Sequence, residues 1–91
     1  MAVDVRLPTL LRASTDGASS VAAEGATVGE VFATLTTRYP GLEGQLVDGL
    51  GDLHKFVNVY VNDDDIRYLD RLDTSVGDGD VISILPAVAG G

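Results

Sequence analysis

Residues 27–39 read TVGEVFATLTTRY, and this stretch determines the fold class. Thr27 followed by Glu30 is a capping box, in which the hydroxyl and the carboxylate accept hydrogen bonds from backbone N–H groups at a helix start. Pro40 and Gly41 then end the helix. The stretch therefore predicts one helix, from Val28 to about Tyr39, with a single apolar stripe that packs on a sheet. The stripe consists of Val28, Val31, Phe32, Leu35 and Tyr39.

A strand pattern precedes the helix. Residues 3–7 alternate apolar and charged side chains, which is typical of a half-buried strand. Pro8 has no N–H, so it ends the hydrogen-bond ladder or marks a sheet edge. Turn-forming residues at 14–17 and a β-compatible run at 19–22 then predict an N-terminal hairpin with a short second strand.

Further strands follow the helix. Residues 56–61 read FVNVYV, and the alternation predicts that the valines face the helix while Phe56 and Tyr60 face away. Residues 66–68 predict a short edge strand, and residues 81–85 the last strand. The order β-β-α-β-(β)-β predicts an α+β fold, with a mixed sheet of about five strands wrapped on one main helix.

Composition limits the possible functions. A length of 91 residues predicts one domain over 1–91, with a flexible C-terminal tail at 87–91. The net charge of −8 disfavours nucleic acid and anionic membrane, and it suits either a basic-faced protein partner or simple solubility. The chain contains no cysteine, hence no disulfide and no thiolate nucleophile. The N-terminus has no secretion signal pattern, so we expect a cytoplasmic protein.

The sequence gives little support for a catalytic or metal-binding site. Residues 62–65 read NDDD but lack the glycine and glutamate that a calcium loop needs, and His54 has no cysteine or second histidine with which to bind zinc. Asx-rich turns explain the acidic clusters equally well. No metal site is predicted, and the chain is expected to be a substrate or carrier rather than an enzyme.

The C-terminal residues 86–91, PAVAGG, are a stronger candidate for a functional site. Gly90 and Gly91 have no Cβ, so they form a thin chain that can enter a narrow channel. The Gly91 carboxylate can be activated to an acyl-adenylate. The alternative is a frayed tail without function.

Four segments together resemble the ThiS/MoaD-type ubiquitin-like sulfur carriers: LPT at 7–9, FVNVYVND at 56–63, GD at 79–80 and ILPAVAGG at 84–91. Asp65 and Arg67 extend this likeness. The resemblance implies a β-grasp fold whose first and last strands pair in parallel at the sheet centre. The terminal VAGG is shared with the small subunit of molybdopterin synthase, whereas the middle segment favours the branch that serves cysteine biosynthesis.

The resemblance also implies partners and a mechanism. An E1-like adenylyltransferase/sulfurtransferase would adenylate Gly91 with ATP and magnesium, and a sulfur donor would then produce a thiocarboxylate. A PLP-dependent cysteine synthase would use this sulfur with O-phosphoserine, and a metalloprotease would release cysteine. The cofactors belong to these partners, and the chain itself is expected to bind none. Two alternatives stay open: a molybdopterin synthase subunit, or a ubiquitin-like modifier attached to lysines.

Partner docking is expected on the sheet face away from the helix. Alternation places Phe56, Tyr60 and Leu85 there, and an uncovered sheet face with aromatic residues often marks an interface. Val88, in the tail, is expected to contribute to the same docking. Alternatively, these side chains pack against the loop that follows the helix.

Overall fold

A computed structural model describes residues 2–42, 44–46 and 57–86. Phe56, His54 and the tail at 87–91 lie outside this range. The helices and strands are β1 (Ala2–Arg6), α1 (Thr9–Arg12), β2 (Ser20–Glu24), α2 (Val28–Arg38), β3 (Val57–Val61), β4 (Asp64–Asp65) and β5 (Val81–Pro86). Short 3₁₀ turns cover Ala13–Thr15, Pro40–Leu42, Ile66–Tyr68 and Arg71–Asp73.

The strands form one five-stranded mixed sheet in the order β2-β1-β5-β3-β4. β1 and β5 pair in parallel at the centre, with Val5 opposite Ile82, and the other neighbours are antiparallel. The predicted α+β fold class and the central parallel pair are therefore confirmed. β1, β5 and β3 each have a partner strand on both sides, and β5 is the middle strand of the five.

Helix α2 covers one face of the sheet as the apolar stripe predicts. Four of the five stripe residues are fully buried, and Tyr39 packs against them partly exposed. The valines of β3 face this core, as expected from the alternation. The core also contains inward residues of the other strands and apolar residues of the turns and of α1, among them Val3, Val5, Leu11, Leu42, Leu46, Ile66, Ile82 and Ile84.

The start of α2 differs from an ideal capping box by one residue. The Thr27 hydroxyl accepts a hydrogen bond from the Glu30 N–H at 3.2 Å, as predicted. The Glu30 carboxylate accepts from the N–H of Ala26 at 3.2 Å, however, rather than from that of Thr27. Thr27 instead pairs with Ser75 in an isolated β-bridge, which ties the helix start to the segment before β5.

The predicted edge strand at residues 66–68 is wrong. Those residues form a 3₁₀ turn, and the edge strand is Asp64–Asp65. Asn62 and Asp63 both have positive φ, 50° and 80°, so the chain reverses in a two-residue turn directly after β3. The Asp65 carboxylate then accepts from the Arg67 N–H at 2.9 Å, which starts the 3₁₀ turn and ends the strand.

The predicted N-terminal hairpin is confirmed in pairing but not in its connection. β1 and β2 are antiparallel, with Val5 opposite Val21. The chain between them contains α1 and a 3₁₀ turn, where only a turn at residues 14–17 was expected. The reversal occurs at Asp16 and Gly17, which have φ of 56° and 84°.

Side chains of α2 cover the outer edge of β2. The Thr34 hydroxyl donates to the Glu24 carbonyl at 2.9 Å, and Arg38 donates to the Ala22 carbonyl at 2.8 Å. Ala22 and Glu24 are alternate residues, so their carbonyls point to the same side of the strand. The opposite edge of the sheet is the two-residue strand β4.

A small polar cluster fixes the start of β5. The Asp80 carboxylate accepts from the Asn62 side chain at 3.0 Å and from the Gly77 N–H at 2.8 Å. These two hydrogen bonds, the Asn62 bond first, lower the pKa of Asp80. Asn62 in turn accepts from the Val81 N–H at 3.0 Å, so the cluster joins the turn after β3 to β5.

We expect Asp80→Asn to lower the melting temperature at neutral pH. Because the pKa of Asp80 is lower folded than unfolded, its ionised form stabilises the fold above the unfolded pKa, and this contribution is lost as pH falls through the folded pKa. The difference in melting temperature between wild type and variant should therefore shrink below about pH 4. Asp78→Asn removes the same charge from an exposed position and is the control; a gap that is constant with pH would contradict the assignment.

Gly25→Ala is expected to destabilise the fold. A Cβ at this position would lie 2.6 Å from the Val31 backbone nitrogen and 2.9 Å from its Cγ2, so the first turn of α2 would have to move. Such overpacking lowers the free energy of unfolding by about 1–3 kcal/mol. Gly77→Ala is the matched control, because its Cβ meets nothing within 4 Å. Urea unfolding measures both, and equal losses would contradict the steric argument.

Candidate functional site

The C-terminal end of β5 is the candidate site, because the tail begins directly after it. β5 pairs with β1 only through Ser83, whereas its pairing with β3 continues to Pro86. The last three residues of β5 therefore have a neighbouring strand on one side only. Ile84 is buried, and the surface is reached at Leu85 and Pro86, which are exposed.

Pro8 explains why the ladder between β1 and β5 stops. The Asp4 N–H donates to the Asp80 carbonyl at 3.1 Å. In a parallel ladder the donors of one strand recur every second residue, so Arg6 and then position 8 should donate next. Pro8 has no N–H. The expected ladder end is thus confirmed, and the Ile84 carbonyl has no donor from β1.

A groove lies where β1 leaves β5. The chain turns at Pro8 into α1, which stands beside the open side of β5. We call this depression the exit groove. Its lining includes Pro8, Leu10, Arg12, Tyr60, Leu85 and Pro86.

Two of the predicted docking residues meet at this groove. Tyr60 and Leu85 are on the sheet face away from α2, as expected from the alternation, and both line the exit groove. Leu85 is 48% exposed and Tyr60 is partly buried. They occupy neighbouring rows of the sheet, since Tyr60 pairs with Ser83 and Leu85 pairs with Asn58.

The other predicted site residues lie outside the described range. These are Phe56, Val88, Gly90 and Gly91. Pro86 is the last described residue, and the five residues after it span at most about 17 Å when extended. Gly91 is therefore tied by a short length of chain to the exit groove.

Sequence reasoning missed Leu10. This leucine is 60% exposed and lines the groove, whereas its neighbour Leu11 is fully buried. Adjacent residues of a helical turn point about 100° apart, so two consecutive leucines in α1 cannot both enter the core. Once α1 is known, the pair Leu10-Leu11 therefore predicts one surface leucine.

Two arginines contribute to the electrostatics of the groove. The Arg12 Nε donates to the Leu7 carbonyl at 3.2 Å, and Arg6 lies in the sheet row that contains Ser83 and Tyr60. Arg6 also approaches Asp4 at 3.7 Å. Within residues 2–42, 44–46 and 57–86, no cluster of His, Asp or Glu side chains is arranged to hold a metal ion. No helix in the same ranges is long and apolar enough to cross a bilayer.

Comparison with known proteins places this geometry in a family. The profile of the ThiS family matches residues 5–91. The sulfur carrier protein CysO of Mycobacterium tuberculosis is 50% identical over 93 aligned residues, which cover 100% of both chains. The small archaeal modifier protein 3 of Haloferax volcanii is 41% identical over 68 residues, which cover 75% of this chain and 73% of that protein.

A solved structure agrees with the sequence comparison. In the crystal structure of the BexX/CysO complex of Amycolatopsis orientalis, one chain superposes with a TM-score of 0.91 and is 50% identical. The match covers 99% of this chain and 100% of that chain. The likeness thus extends over nearly the whole fold.

Proposed function

The chain belongs to the ThiS family, and we propose on this premise that it is a sulfur carrier whose Gly91 carboxylate becomes a thiocarboxylate. The observation that carries the proposal is the full-length identity of 50% to CysO, which is named a sulfur carrier protein. The central position of β5 supports it, because the carboxylate is then attached to the middle strand of the sheet.

The chemistry requires activation before sulfur transfer. An E1-like adenylyltransferase joins the Gly91 carboxylate to AMP from ATP and releases pyrophosphate. A sulfur donor then attacks the acyl carbon, and AMP leaves with the bonding electrons. The product is a terminal thiocarboxylate, an ionised soft nucleophile at neutral pH that does not require a cysteine in the carrier. ATP, magnesium and the catalytic groups all belong to the partner.

We assign the sulfur to cysteine biosynthesis in the cytoplasm. The thiocarboxylate attacks an aminoacrylate that a PLP-dependent cysteine synthase forms from O-phosphoserine. An acyl shift from sulfur to nitrogen gives a carrier–cysteine amide, and a metalloprotease hydrolyses it to release cysteine. The chain is a carrier in this sequence, and it binds no cofactor of its own. Its likeness to CysO over the whole length supports this branch of the family.

Partner docking completes the proposal. Tyr60 and Leu85, together with Phe56 and Val88, position the carrier on its activating enzyme. The partial exposure of Tyr60 and Leu85 next to the end of β5 supports this assignment. A partner bound there holds the tail at a fixed distance from its nucleotide.

A second candidate function is protein modification. The identity of 41% to small archaeal modifier protein 3 favours it. In that case Gly91 forms an isopeptide bond with a lysine of a target protein, through the same adenylate. The two functions differ in the product, a free thiocarboxylate or a conjugate.

Deletion of Gly91, or addition of one residue after it, should abolish charging. One extended residue spans about 3.3 Å, and a displacement of 1 Å can already cost about 100-fold in rate. Gly90→Val should fail as well, because a β-branched side chain stiffens and widens the tail. The assay is intact-mass detection of the replacement of one oxygen by sulfur, with activating enzyme, ATP and sulfide.

Two results would contradict the assignment, one from this assay and one from protein isolated from its host. An extended chain charged as fast as the native chain, without trimming, would exclude a terminal-carboxylate mechanism. Protein isolated from its host as lysine conjugates and never as thiocarboxylate would favour modification over sulfur transport. Unchanged melting temperatures for all variants are the control for folding.

Tyr60→Ala and Leu85→Ala should each weaken charging about tenfold or more through KM, as expected for side chains at the centre of an interface. Their melting temperatures should change little, because neither side chain enters the core. Tyr68→Ala is the control, since Tyr68 is 88% exposed and lies outside the exit groove. Parallel losses of stability and charging would show that these side chains act in folding instead.

A further inference from the structure

The exit groove has two positively charged residues on a strongly acidic chain. Arg6 and Arg12 both line it, together with Asp63. The whole chain has a formal net charge of −8. The groove is therefore a local exception to the charge of the molecule, and it lies beside the end of β5.

Arg12 is held in place by a bond that leaves most of its guanidinium available. Its Nε donates to the Leu7 carbonyl at 3.2 Å, which fixes the side chain against the end of β1. The two terminal nitrogens lie beyond this bond, and such nitrogens bind a carboxylate through two parallel hydrogen bonds. Arg12 is also partly buried, so it loses little side-chain freedom when a ligand binds.

Two other arginines of the described residues, Arg38 and Arg67, are used inside the fold, whereas Arg71 is exposed. Arg38 donates to a carbonyl at the edge of β2. Arg67 donates to the Asn58 side chain and to the Val57 carbonyl, at the start of β3. Arg6, in contrast, has only a weak pair with Asp4, in which the two side chains are 66% and 46% exposed.

We propose that the exit groove binds a segment of the activating enzyme that carries an acidic residue beside an apolar one. The carboxylate pairs with Arg12 and Arg6, and the apolar side chain packs against Leu10. The identity of the enzyme rests on the proposed function, whereas the chemistry of the segment follows from the groove.

This proposal reverses the expectation that follows from net charge. A net charge of −8 predicts that the partner surface is basic throughout. Removal of an arginine from the carrier would then improve binding. A carboxylate opposite Arg12 predicts the contrary, because removal of the arginine leaves that carboxylate without a partner. The sign of the effect therefore distinguishes the two surfaces.

The test measures KM for the carrier in ATP-dependent adenylation by the activating enzyme of the host. Arg12→Gln should raise KM about tenfold or more with kcat unchanged, and the effect should shrink at about 0.5 M salt. Arg12→Lys should recover only part of the loss, because an ammonium lacks the planar fork. Leu10→Ser should also raise KM. Arg71→Gln is the charge-matched control, an exposed arginine outside the groove that should leave KM unchanged.

An unchanged or lower KM for Arg12→Gln would overturn the proposal. A lower KM would indicate a basic partner surface, or the carrier's own tail carboxylate in the groove. If Arg12→Gln lowers the melting temperature, Arg6→Gln provides the same test at an exposed side chain. A wild-type chain that is never adenylated would refute the proposed function, whereas normal charging of both arginine variants would refute only this inference.

Discussion

The parallel pairing of β1 with β5 is the constraint on which the rest of the structure depends. It brings the two ends of the sequence together at the centre of the sheet, and it leaves β2 and β3 to pair outside them. Parallel neighbours require a long crossover, and the segment that contains α2 lies within it. Helix α2 then covers the apolar face of the sheet, which is formed by every second residue of each strand. The polarity of this one pair also sends the end of β5 to the same side of the molecule as the end of β1.

Where this pairing stops is as important as where it forms. Because Pro8 has no N–H, the pairing of β1 with β5 does not continue past this point. The end of β5 therefore has an open side. The opening appears beside the strand that leads to Gly91. Arg12 and Leu10 come to the groove because α1 turns back there. A partner can therefore recognise the carrier and receive its tail at one place.

The sequence predicts the parts of this fold that depend on periodicity. The α2 stripe, the inward valines of β3 and the outward positions of Tyr60 and Leu85 follow from periods of 3.6 and 2 residues. The 3₁₀ turn at Ile66–Tyr68 was missed because a local carboxylate cap at Asp65 outweighs the β-favouring residues after it. The groove could not be predicted, since it depends on which strand lies beside β5 and on the turn into α1. These are tertiary facts without a local periodic signal.

The covered edge of β2 has a consequence for how the molecule behaves at high concentration. An open sheet edge is a template on which a second copy can add its own strand and begin a fibre. Here Thr34 and Arg38 already occupy the carbonyls that such a copy would need. Growth of the sheet from that side would first have to break both bonds. Association of two copies through this edge of the sheet is therefore disfavoured.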